Sequence, residues 1–205
     1  MDNIDLTPAL MHKYNGNPKV NKVGRYSVSM LWGMMTVNSF TKELYTTPEA
    51  YLRPEPHDFE GVMNMWQGTH KHAQVQELLD GYDKEIKKVM IIKIGSVEFE
   101  LVGQVDAINA TEGLEIKTSQ KLHTSSKKWH DYQARIYCSM FERDVFKVCQ
   151  PVVTKDKILL NVLAEIKRND TWFNKEMAKL ASYHEKLVAL EKERQAKPVY
   201  PVHSQ

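Results

Sequence analysis

The 205 residues are predicted to form one α/β domain, a mixed central β-sheet flanked by helices, with a helical segment before the sheet and a long helix after it. Three observations predict this class. A helical periodicity from Glu60 to Leu79 gives way to strand-like runs between Val89 and Thr118. A helix, two more strands and a last helix follow, and interleaving of this kind builds an α/β sheet. Hydrophobic residues at 42% and charged residues at 26% are the composition of a chain that buries a core rather than a disordered one.

Residues 1–26 are polar, with Asn15-Gly16-Asn17-Pro18 marking turns, and are expected to be an arm leading into the domain over 27–195. A serine in Ser27-Val28-Ser29 is placed to cap a short helix through Met30, Leu31 and Trp32. A second helix is predicted over Phe40–Tyr45, stopping before Pro48, and residues 46–57, with three prolines, read as an extended connection. In the helix from Glu60, Met65, Thr69, His72, Gln76 and Leu79 fall on one face, and Gly81 ends it. Val89–Ile94 and Val97–Ile108 form a hairpin through Gly95-Ser96, and a short turn at Ala110–Gly113 leads into Leu114–Thr118. Lys127–Phe141 is predicted as a helix, and Val145–Val153 and Ile158–Ile166 as strands. The last helix starts near Asn169 or Asp170, runs to about Arg194 and is followed by a tail over 196–205. Its apolar stripe of Trp172, Phe173, Met177, Leu180, Tyr183, Leu187 and Leu190 suits packing on the domain, with a homo-oligomer contact as the other use.

No apolar run reaches the ~18 residues that cross a bilayer, so no membrane partner is expected. Asp2 and Asp5 break any basic-then-apolar leader pattern. Cys138 and Cys149 are too few for a disulfide framework, and a reducing, cytoplasmic setting follows as the expectation. A net charge of +2 is too small to mark a nucleic-acid binder, so any such signal must be local.

The chemistry concentrates between Val97 and Thr118. Val97, Phe99, Leu101, Val105 and Ala107 share one face of their strand, and Gln104 and Asp106 lie on the other. If Ala107 pairs with Leu114 and Val105 with Ile116, the apolar faces coincide and Asp106 stands opposite Glu115; a one-residue slip destroys the agreement. Two facing carboxylates repel unless a proton or a cation lies between them, and a hard divalent ion with oxygen ligands is the usual solution. Lys117, two residues on from Glu115, would then orient a water or balance charge on a phosphate. Taken alone, the trio more readily describes a solvated, salt-bridged strand.

Asp106 followed by Glu115-Ile116-Lys117 resembles the signature of the PD-(D/E)xK nuclease superfamily, with Gly103-Gln104-Val105-Asp106 as its first acidic motif. Gln133-Ala134-Arg135-Ile136-Tyr137 is similar to the glutamine–tyrosine helix of the RecB-like branch, and Gly68-Thr69-His70-Lys71-His72 to its histidine helix. The likeness covers residues 27–166. It implies a restriction-endonuclease-like core and a Mg²⁺- or Mn²⁺-dependent deoxyribonuclease, an exonuclease on DNA ends or single strands. A structure-specific endonuclease, or a nuclease fold used only for binding, are the alternatives. By the same resemblance, Asp106, Glu115, the Ile116 carbonyl and His72 are metal ligands, with His70 competing for the last place. Lys117 is the catalytic lysine, and Gln133 and Tyr137 orient its surroundings. The CRISPR-associated members of that branch, and viral homologues similar to them, often carry four cluster-binding cysteines that this chain lacks, so no iron–sulfur cluster is expected.

Residues 117–147 hold seven basic side chains (Lys117, Lys121, Lys127, Lys128, Arg135, Arg143, Lys147) against three acidic ones (Asp131, Glu142, Asp144), with His123, Trp129, His130 and Tyr132 interleaved. Cations suit a DNA backbone and exposed rings suit unstacked bases, which makes Lys121, Lys127, Lys128, Trp129 and Arg135 the candidate nucleic-acid contacts. Trp129 and Tyr132 serve equally well as core anchors. Ser119–Ser126 reads as a polar loop able to close over substrate.

Overall fold

A computed structural model of the protein describes residues 5, 7–16, 21–119 and 121–196. In chain order they form α1 (Thr7–Asn15), β1 (Arg25–Ser27), α2 (Val28–Met35), α3 (Pro48–Leu52), α4 (Phe59–Glu77), β2 (Asp83–Ile94), β3 (Val97–Ile108), β4 (Glu112–Ile116), α5 (Lys128–Met140), β5 (Val145–Val153), β6 (Ile158–Lys167) and α6 (Asp170–Ala196). The tail from 197 onward and the Asn17-Pro18 turn lie outside the described residues.

The six strands make one mixed sheet. The Gly95 turn, with φ at 58° where glycine is at ease, lets β2 lie along the whole of β3 from Ile94↔Val97 to Asp83↔Ile108. The other edge of β3 is shared. β1 runs parallel to it at Glu100–Val102, and β4 runs antiparallel at Ala107↔Leu114 and Ile108↔Gly113. β4 and β5 are parallel, so their connection must cross over, and α5 supplies it. β6 then returns antiparallel to β5.

The core has two parts. The larger joins Phe99, Leu101, Phe146 and Val148 of the sheet to Leu31 and Met34 of α2, Ile136 and Met140 of α5, and Leu180 and Leu187 of α6. The smaller consists of Ala107, Leu114, Ile116 and Cys149, covered by Val75 of α4 and by Leu79, Tyr82 and Leu160. Among the described residues, no helix is long and apolar enough to cross a membrane.

Four sequence-based boundaries need correction. Phe40–Tyr45 is no helix: the Asn38 side chain accepts from the Phe40 N–H at 2.8 Å, Lys42 sits at φ 61°, and Val37 bridges to Leu44. An asparagine that captures nearby N–H groups offers the backbone an alternative to helix. Residues 46–57 are not wholly extended, because Pro48 opens α3 and Thr47 caps it at Ala50 N (3.3 Å), a use of proline at the first helical position. β2 begins at Asp83, six residues earlier than its apolar run, since β3 offers a full-length edge. Within the polar N-terminal region, Thr7–Asn15 is helical. Ser27 occupies the cap position of α2 without a side-chain cap bond; its hydroxyl meets that of Ser29 at 2.9 Å.

Gly113 is needed for close packing, because a methyl there would overlap the Phe146 ring. Gly113→Ala should therefore lose about 1–3 kcal/mol of stability through overpacking, read as a lower urea midpoint with an unchanged slope.

Candidate functional site

The site forms where β3 and β4 part. Their ladder ends at Ala107↔Leu114, and the next pair in that register is Asp106 and Glu115. Instead of a backbone rung, the Asp106 carboxylate itself accepts the Ile116 N–H, Oδ2 to N at 2.5 Å. That leaves Oδ1 free to face α4, where His72 Nε2 lies 3.2 Å away. Helical spacing explains the choice between the two histidines. His72 points into the fork, while His70 Nδ1 is 2.8 Å from the Trp66 carbonyl on the same helix.

Glu115 is only 2% exposed. One of its oxygens pairs with Lys117, and the other, Oε2, has no hydrogen-bond partner. Burial pushes its pKa up to about 7 and the Asp106 charge pushes the same way, against the pull of Lys117 and His72. His72 Nε2 is also buried and lacks an aligned hydrogen bond. Burial pulls its pKa down, but Asp106, Glu85 and Glu115 outweigh that and the net shift is upward.

Lys117 Nζ also donates to Gln133 Oε1 at 3.4 Å. Gln133 Nε2 donates to Tyr137 Oη (3.1 Å), and Tyr137 donates to the Gln104 carbonyl (2.9 Å). This chain fixes the amide orientation: with Nε2 committed to Tyr137, the Gln133 oxygen must face Lys117. Gly103 makes the approach of α5 feasible, since a Cβ there would stand 2.7 Å from Met140 Sδ and 2.9 Å from the Tyr137 ring. Ile116 contributes its N–H to the site and its side chain to the smaller core.

Glu85 carries no signature in the sequence, and Gln76 and Gln104 are legible there only as neighbours of His72 and Asp106 on their faces. Glu85 of β2 places Oε1 3.7 Å from His72 Nε2. Gln76 of α4, 7% exposed, donates to both Glu85 Oε1 (2.5 Å) and the Asp106 carbonyl (2.8 Å). Gln104 donates to the other oxygen of Glu85. Extending the Gly95 hairpin back along its own register would have set Glu85 opposite Asp106; a strand started at Val89 hides it.

Beside Lys117 opens a cavity of about 540 Å³, lined by Lys71, Lys117, Lys121, His123, Lys127 and His130 among others, with no aspartate or glutamate among the described residues of its wall. Gln150, 1% exposed, ties down its loop by accepting from His123 N (2.9 Å) and donating to the Lys121 carbonyl (2.7 Å). Burial, together with Lys117, Lys127 and His123, pushes the His130 pKa down to about 4, so its imidazole is neutral at pH 7. Lys127 Nζ sits 4.8 Å from the ring centre of the half-exposed Trp129. Lys128 and Arg135 line a different groove, where Arg135 lies over Trp172 at 5.1 Å.

No protein-family model and no curated protein sequence matches this chain. Solved structures do. SSO0001 is 18% identical with a TM-score of 0.60, over 96% of this chain and 90% of its own. The alkaline exonuclease LHK-Exo from Laribacter hongkongensis is 15% identical with a TM-score of 0.53, over 93% and 98% of the two chains. LHK-Exo in complex with dAMP gives 16% and 0.58 over 85% and 94%. The fold is restriction-endonuclease-like. In that fold, the β3–β4 fork of this chain gathers hard oxygen donors and one imidazole. Glu115 Oε2 is buried without a hydrogen-bond partner, and His72 Nε2 meets only the carboxylates of Asp106 and Glu85, a donor set that fits a divalent cation.

The raised pKa of Glu115 carries a stability signature. Between about 4.5, its ordinary value, and about 7 the folded state binds more protons than the unfolded state, so stability falls as pH rises through that window. In EDTA, the wild-type protein should lose of order 1–3 kcal/mol across it relative to Glu115→Gln, measured by urea denaturation at a series of pH values.

Proposed function

We infer that this chain is a metal-dependent deoxyribonuclease of the RecB-like branch of the PD-(D/E)xK superfamily, an exonuclease acting on DNA ends or single strands in the cytoplasm. One observation carries the reading: His72, Asp106, Glu115 and Lys117 converge at one fork, with Glu115 Oε2 buried and unpartnered and a cavity lined by lysines and histidines alongside. The likeness to an alkaline exonuclease solved with dAMP supports it.

Asp106, Glu115, His72 and the Ile116 carbonyl are the groups assigned to hold Mg²⁺ or Mn²⁺. A cation so held supplies Lewis acidity, polarising a phosphate oxygen and acidifying a water. The chain's own residues do the rest. The Ile116 N–H fixes the Asp106 carboxylate so that one oxygen faces the fork. Burial and the Asp106 charge push the Glu115 pKa up against the pull of Lys117 and His72, so a cation held beside it would favour its ionised form. Lys117, held between Glu115 and the Gln133 carbonyl, brings a positive charge to the growing negative charge of the phosphate. Lys71, Lys121 and Lys127 border the cavity that receives the strand, and Trp129 offers a face to a base.

With Mn²⁺ or Mg²⁺, the purified protein should degrade linear DNA. Asp106→Ala and Lys117→Ala should each lower the rate at least about a hundredfold while the circular dichroism spectrum is kept. Undiminished cleavage by either variant would remove the assignment.

Lys121→Ala and Lys127→Ala should weaken DNA binding equally across sequences. Each should make the slope of log K against log salt shallower by about one, as fluorescence anisotropy would show.

A further inference from the structure

The β2–β3 register sets Glu85 directly opposite Asp106, between the pairs Lys84↔Ala107 and Ile86↔Val105. Glu85 holds a left-handed backbone, φ 54°, which costs a residue with a Cβ about 1–2 kcal/mol. Its half-exposed carboxylate is nonetheless fixed: Gln76 donates to one oxygen and Gln104 to the other. Gln76 reaches the Asp106 carbonyl as well, so one amide ties together the two acidic residues of neighbouring strands.

This arrangement sets like charges side by side. No lysine or arginine forms an ion pair with either Glu85 or Asp106 among the described residues; each has only His72. Ligand atoms of His72, Glu85 and Asp106 lie within 4.8 Å of one another. Independently of that trio, the 2%-exposed Glu115 keeps an unpartnered oxygen and feels the charges of both Asp106 and His72.

We propose that Glu85 is a direct ligand of the divalent cation, shared with Asp106 and His72, so that the site draws on β2 as well as on β3, β4 and α4. This rests on the metal-dependent reading above. The fixed carboxylate, opposed to Asp106 across a backbone strained at that one residue, is what a cation between the two strands requires.

The test is calorimetric titration of the full chain with MnCl₂. Glu85→Gln should weaken Mn²⁺ binding at least about tenfold, with the circular dichroism spectrum unchanged. The control is Glu98→Gln, which removes a carboxylate near the hairpin tip, where it pairs with Lys93, and should stay within about threefold of wild type. Wild-type affinity in Glu85→Gln overturns the proposal, and so does a Glu98→Gln loss as large as that of Glu85→Gln, which would make the effect one of net charge rather than ligation. Absence of Mn²⁺ binding by the wild-type chain would instead overturn the metal-dependent reading itself.

Discussion

The site depends on a carboxylate that takes the place of a rung in a β-ladder. β3 and β4 share only two backbone pairs before they separate, and at the point of separation Asp106 Oδ2 takes the Ile116 N–H that a strand would otherwise have accepted. An unpaired N–H at this buried position would be costly, so one bond both satisfies the backbone and fixes the acid. Ile116 and Ala107 anchor the fork from below through the smaller core, and Lys117 is carried on by the bond from its N–H to the Cys149 carbonyl of β5 (2.8 Å). The opening between the strands thereby becomes a place for side chains rather than a fault in the sheet.

Around that opening the charges are segregated. Glu85 and Asp106 gather about His72, whereas Lys71, Lys121 and Lys127 gather around the neighbouring cavity. Lys117 stands at the boundary, paired with Glu115 on one side and lining the cavity on the other. Neutral glutamines hold the two halves in register. Gln76 and Gln104 steady the acids, Gln133 turns its carbonyl to Lys117, and Gln150 secures the loop carrying Lys121 and His123. Amides suit this role because each donates and accepts without adding charge to a site where the charge balance matters.

How much of this was legible in the sequence follows from the kind of signal each part leaves. Val97–Ile108 and Val145–Val153 match their strands to the residue, because alternation and turn chemistry both mark them. Register places Asp106, Glu115 and Lys117 on one hairpin, but singling them out, together with Gln133 and Tyr137, took their resemblance to the nuclease motifs. Glu85 left no mark, being a polar residue in a polar run that looks like any solvated surface, and Gln76 showed only as a member of the His72 face. The basic window between 117 and 147 counted charge without direction. Arg135 stands two residues from both Gln133 and Tyr137, roughly 200° around the helix from each, and so meets Trp172 rather than Lys117. The short α3 was missed for a related reason: proline at a helix start and proline in an extended linker are the same letter.

The left-handed backbone at Glu85 sets folding and chemistry against each other at a single residue. Glycine or asparagine would sit there with less strain, so a screen that rewarded thermal robustness alone would favour discarding this carboxylate. Retaining a glutamate in such a conformation accepts a less comfortable hairpin for the sake of an anionic group at the mouth of the fork.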